Sequence, residues 1–127
     1  MRSDADRVAD ILDCAKAIAE RLACRTLETF SASPDAVKAT FFDVIVIGEA
    51  MRELVARKDG FAQKAAEDAP IVRLYPMIPW TGWIGMRDMV THQYFRAAPE
   101  IVWRDYEDGE IQKLIDCCHE WLTTTGK

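Results

Sequence analysis

The chain has little of what would mark it as anything but an ordinary globular domain. It has only six glycines and five prolines in 127 residues, with no low-complexity run, which argues against a disordered or fibrous chain. No stretch alternates apolar and polar residues with period two, and no Asn-Gly hairpin turn occurs, so no strand is expected. The longest apolar run, Phe41 to Ile47, is short and broken by Asp43, which excludes a membrane-spanning helix. The first ten residues are charged and lack an apolar stretch, so they do not read as a secretory signal, and a cytoplasmic location is the expectation. Positive charge is also scarce. Sixteen basic against twenty-one acidic residues give a net charge of -5, which argues against holding nucleic acid by bulk electrostatics. Finally, Cys14, Cys24 and the adjacent pair Cys117-Cys118 match no zinc spacing, even with His119 alongside. No metal and no cofactor is expected.

What remains is helical. Half the residues are hydrophobic, enough for one domain over residues 1–127 to bury a core without staples. Val8, Ile11, Leu12, Ala15, Ile18, Ala19 and Leu22 recur at steps of three and four and predict a helix from about Asp4 to Cys24, capped by Ser3 or Asp4. Ser33 then reads as an N-cap and Pro34 as the first residue of a second helix. Its apolar residues spread round more than one face, which predicts several packing partners. Gly48 within it is costly for a helix and predicts close approach of another backbone. Lys58-Asp59-Gly60 is expected to end this helix, with a short helical stretch from about Phe61 to Asp68 and a broken region from Pro70 to Pro79. Pro79 reads as the start of a helix running toward Tyr94, Pro99 as the start of a further turn, and Glu110 to Leu122 as the last amphipathic helix. The expected architecture is all-α, an antiparallel bundle of four to five helices.

One segment concentrates polar chemistry. From Pro70 to Arg104 the basic residues are Arg73, Arg87, Arg96 and Arg104, against only Asp88 and Glu100, so this stretch could hold a phosphate. Within it stand Arg87, Asp88, His92 and Tyr94. On a helix turning about 100° per residue, Asp88 and His92 share a face, and the carboxylate could reach the ring and favour its charged form. Arg87 and His92 are about 140° apart on the same reckoning, and Tyr94 about 200° from His92. Convergence therefore requires the helix to be ending, or a groove shared between helices or subunits. Such a set suits metal-free cleavage of an RNA phosphodiester, with the histidine taking the ribose 2′-hydroxyl proton and the arginine stabilising charge on the phosphate. A solvated helix face, or a satisfied core histidine, fits the same spacing. Glu49 and Glu53, with Arg52 and Arg57 nearby, could be a paired-carboxylate site but read better as a charged face. Trp80, Trp83, Trp103 and Trp121 could stack bases but read better as packing.

Several separated motifs carry a resemblance. Val46-Ile47-Gly48-Glu49-Ala50, Ile78-Pro79-Trp80, Ile84-Gly85-Met86-Arg87-Asp88 leading to His92-Gln93-Tyr94-Phe95, and Ile101-Val102-Trp103 together resemble the HepT-like branch of the HEPN superfamily. The resemblance covers nearly the whole chain. It implies a helical-bundle protomer that forms a homodimer, with the Arg-x4-His motifs facing a shared cleft. It also implies a toxin that cleaves RNA without metal, beside a cognate minimal nucleotidyltransferase antitoxin with which it could build a higher hetero-oligomer. Carried over, Arg87, Asp88 and His92 would form the catalytic set, and Tyr94 would receive AMP from the antitoxin. Relatives often have asparagine where this chain has Asp88, a change that could repel substrate phosphate. The alternative is a non-catalytic subunit that binds nucleotide or presents substrate to the nucleotidyltransferase.

Overall fold

A computed structural model describes residues 2–56, 67–92 and 98–124. Among these residues there are seven helices and no strand: α1 (Asp4–Ala23), α2 (Leu27–Ser31), α3 (Pro34–Leu54), α4 (Pro70–Leu74), α5 (Trp80–Thr91), α6 (Ala98–Glu107) and α7 (Glu110–Thr124). Five of them have ten residues or more, matching the expected count of main helices, while α2 and α4 are single turns of five. Among the described residues no helix is long and apolar enough to cross a membrane.

The helix starts follow local chemistry. Ser3 caps α1 through a capping box with Asp6, and the Ser33 side chain accepts from the Ala36 N–H at the start of α3, with Pro34 behind it. The α2 turn was not anticipated. Its signal is a second capping box, Thr26 with Thr29, too short to show as an apolar stripe. The stretch expected to be broken contains α4, which has Pro70 at its first position. Pro79 is the N-cap residue of α5 and not its first turn. At Pro99 a ten-residue helix, α6, replaces the expected single turn.

The end of α3 differs more. The helix stops at Leu54, before Lys58-Asp59-Gly60, because Asp68 and Ala69 return to its last turn. The Ala56 N–H donates to the Asp68 carboxylate (2.7 Å) and the Ala69 N–H to the Leu54 carbonyl (2.8 Å), satisfying groups that a longer helix would have used. Lys58-Asp59-Gly60 and residues 61–66 of the expected short helix lie outside the described residues, and Asp68 is not helical.

α3 lies at the centre, packed on α1 along one side and on α5 along another, while α7 covers the far face of α1 and α6 leans on α2 and α7. This gives the apolar spread of α3 its several partners. The core is built on Ile11, Ile18, Leu22, Ile47, Met51, Ile111 and Leu114, all fully buried. All four tryptophans are buried, as packing requires, and Trp103 stacks on Phe30 with ring centres 6.1 Å apart. Between α1 and α3 the buried Asp43 accepts from Arg21 (3.0 Å), which also reaches Thr40 (2.9 Å), so the one carboxylate in the apolar run is paired. Cys118 is buried and Cys14 half-buried, and burial holds both thiols up at about 12, Cys14 with help from Asp43.

Candidate functional site

α5 carries the polar segment and ends where the chemistry begins. Its last helical residue is Thr91, and His92 occupies the C-cap with φ -112° and ψ 37°. The His92 N–H still donates to the carbonyls of Asp88 (3.0 Å) and Met89 (3.3 Å). The ring of the exposed His92 folds back over this last turn, so that Nδ1 lies 2.7 Å from the Asp88 carbonyl oxygen and 3.2 Å from Thr91 Oγ1. Thr91 Oγ1 donates to the same carbonyl at 3.0 Å. A carbonyl oxygen only accepts, so these partners put the hydrogen of a neutral ring on Nδ1 and the basic lone pair on Nε2. One nitrogen thus fixes the ring, and the other has no partner among the described residues.

The Asp88 carboxylate does not hold the ring, contrary to the expectation from spacing. It turns to its neighbour: Asp88 Oδ1 accepts from Arg87 Nη1 at 2.7 Å. The physical reason is that a carbonyl oxygen at the helix end has room beside its main-chain bond from His92, so the imidazole N–H adds to it there, while the charged group goes to the nearest cation.

Arg87 is the most constrained member. Its Nη2 pairs with Glu49 Oε1 of α3 at 2.6 Å, its Nη1 with Asp88, and its Nε is buried without a partner among the described residues. Only 22% of the side chain is exposed. Its aliphatic stem crosses α3 at Gly48, where an added Cβ would lie 2.3 Å from Arg87 Cβ and 2.8 Å from Cγ. Gly48 therefore does what its cost in a helix foretold, although the group it admits is chiefly the stem of a side chain, with the Trp83 carbonyl 3.3 Å off as the nearest backbone. Each terminal nitrogen of Arg87 has two hydrogens and gives one to a carboxylate, which leaves one apiece for a further acceptor.

The structure thus brings Arg87, Asp88 and Glu49 into contact and sets His92 on the same α5 terminus; Tyr94 lies outside the described residues. Glu49 is the site residue that the sequence left on a charged face. Its one legible signal was adjacency to Gly48, since whatever passes over a helical glycine passes beside the next residue. Around Arg87 stand one cation and two carboxylates, so its immediate surroundings are net negative.

Comparison with known proteins identifies the family. Residues 11–120 match the family model described as "Ribonuclease HepT-like". Over 94 residues, 74% of this chain and 67% of the relative, the sequence is 32% identical to a protein of Methanocaldococcus jannaschii named "Putative RNase MJ0127". No solved structure matches the chain. With the family match running from α1 into α7 and enclosing Gly48, Glu49, Arg87, Asp88 and His92, the chain belongs to the HepT-like ribonuclease family.

Proposed function

We propose that this chain is a metal-independent endoribonuclease, the toxin of a toxin–antitoxin pair, with Arg87 and His92 as its catalytic residues. The observation that carries the reading is the division of labour on His92. Nδ1 is tied to the Asp88 carbonyl at 2.7 Å while the ring sits exposed, and Nε2 has no partner among the described residues. Nε2 takes the proton of a ribose 2′-hydroxyl. The resulting oxygen attacks the adjacent phosphorus, and the P–O5′ bond breaks to leave a 2′,3′-cyclic phosphate and a 5′-hydroxyl that takes up a proton. The remaining N–H groups on the two terminal nitrogens of Arg87 stabilise the charge that builds on the phosphoryl oxygens.

In this reading the protomer works as a homodimer and is silenced by a minimal nucleotidyltransferase. Tyr94 Oη attacks the α-phosphorus of ATP and releases pyrophosphate, its hydroxyl proton being lost. The AMP then sits two residues from His92 and competes for Arg87. Asp88 lowers the resting activity by occupying one edge of the guanidinium. Asp88→Asn keeps an acceptor for Nη1 while removing a negative charge, and cleavage by the variant should be about three- to five-fold faster, the scale of one exposed charge pair. A slower Asp88→Asn enzyme would instead make the carboxylate part of the reaction.

The pairing of both terminal nitrogens of Arg87 with carboxylates, Glu49 and Asp88, also favours a second reading, a non-catalytic subunit that presents Tyr94 or nucleotide to the nucleotidyltransferase. Cleavage separates the two. Purified, unmodified protein should cut RNA in excess chelator and leave cyclic phosphate ends. Intact RNA would favour the presenting subunit, and mass spectrometry after co-expression with a nucleotidyltransferase should then still find one AMP on Tyr94.

A further inference from the structure

The exposed face of α3 presents a pattern that the catalytic reading does not use. Lys38, Phe42, Ile45 and Glu49 follow at steps of four, three and four, so they lie within about 60° of arc along one stripe. Phe42 is 64% exposed, the most exposed large apolar side chain among the described residues. Beside it runs a groove of about 650 Å³, floored by Val37, Phe41 and Ile45 and closed by Val90 at the end of α5 and Pro99 of α6. Lys38 is exposed and makes no ion pair among the described residues, and Glu49 is the partner of Arg87.

The stripe is symmetric about its own centre. Phe42 and Ile45 lie equally far on either side of the midpoint, and so do Lys38 and Glu49, with a cation at one end and an anion at the other. A two-fold axis through that midpoint lays α3 antiparallel on a second α3, setting Phe42 against the partner's Ile45 and Lys38 against the partner's Glu49. An isologous interface requires this kind of self-complementarity. RNA is a poorer occupant of the groove, because Lys38 on its rim is balanced by Glu100 and its floor is apolar.

We propose that this stripe is the interface with a second copy of the chain, and that the partner's Lys38, by pairing with Glu49, completes the site around Arg87. The proposal rests on the homodimeric reading above and extends it to a register and a contributed residue. In the separate protomer Arg87 stands against two carboxylates. In the pair the same two carboxylates are shared by two cations, so the net negative charge facing an incoming phosphate is removed. Each site is incomplete without the other protomer.

Charge exchange tests the register. By sedimentation of the full chain, the wild type should be a dimer and Phe42→Asp a monomer. Lys38→Glu alone and Glu49→Lys alone each set like charges opposite one another twice per dimer, and each should dimerise about ten-fold more weakly or worse. An equimolar mixture of these two variants restores both pairs and should recover association as a heterodimer. Unchanged helical circular dichroism of Phe42→Asp and Lys38→Glu at the temperature of the experiment would show that folding is intact, since loss of the dimer alone lowers the thermal midpoint. A monomeric wild type, a Phe42→Asp protein that dimerises normally, or a mixture no tighter than its components would each overturn the proposal. Association needs no catalysis, so a chain that dimerises through this face but leaves RNA intact refutes only the ribonuclease reading. A wild type that cuts RNA as a dimer, and still dimerises with Phe42→Asp, refutes only this interface.

Discussion

With His92 replaced by alanine, cleavage of RNA by the purified protein should fall by about 10²- to 10⁴-fold, the range a positioned general base contributes. The fold should barely notice. His92 is exposed at the C-cap of α5, and its ring contributes one hydrogen bond to the Asp88 carbonyl, worth about 1 kcal/mol or less at a solvated helix end. Its main-chain N–H bonds to Asp88 and Met89 survive the substitution. The thermal midpoint should therefore stay close to that of the wild type while the initial rate collapses. RNA affinity should also change little, because the groups left to hold phosphate, Arg87 first among them, are untouched. Comparing initial rates on one RNA for wild type and His92→Ala, at equal fractions folded, decides the matter. A variant that keeps its rate within a few-fold would remove His92 from the chemistry, and the Nδ1–carbonyl contact would then be only a helix terminus.

How much of this was legible in the sequence depends on the range of the interaction. Four main helices, α1, α3, α5 and α7, announced themselves through apolar periodicity, α6 did not, and Ser3, Ser33 and Pro34 marked two of the starts, since capping is decided within three or four residues. The single turn α2 escaped because five residues carry no periodicity, although Thr26 and Thr29 form the same kind of capping box. The end of α3 escaped for a different reason. Asp68, which takes the Ala56 N–H, is twelve residues downstream, and nothing local records that return. In the site, the members on α5 were readable because they are neighbours in sequence. The direction of Asp88 was not, because angular position on a helix places a side chain without saying which of two nearby partners it prefers. Glu49 showed only through its place beside Gly48: its partner lies on another helix, and a glutamate on an exposed face looks the same whether it meets water or Arg87.

Gly48 was the exception, a residue whose local cost pointed at a distant contact, and it supports the other large prediction. Gly48→Ala should destabilise the protein and disable the site together. Alanine favours a helix interior by about 1 kcal/mol over glycine, so an unobstructed position would gain stability. Here the new Cβ would lie 2.3 Å from Arg87 Cβ and 2.8 Å from Cγ, and the first of these is no flexible chain end that can swing aside. A Cβ is fixed by its backbone, so α3 and α5 must separate locally, and overpacking of this kind typically costs about 1–3 kcal/mol. The cost should exceed the propensity gain and lower the thermal midpoint. Separation of the helices also pulls Arg87 Nη2 away from Glu49 and moves the guanidinium relative to His92, so cleavage should drop by about 10²-fold even at temperatures where the variant is fully folded. Gly85 provides the control: it lies on α5, and an added Cβ there meets nothing within 4 Å. Gly85→Ala should leave cleavage unchanged and raise the thermal midpoint slightly. If Gly48→Ala behaved like Gly85→Ala, the close passage of Arg87 over α3 would have no part in the site, because the helices would have moved apart without consequence.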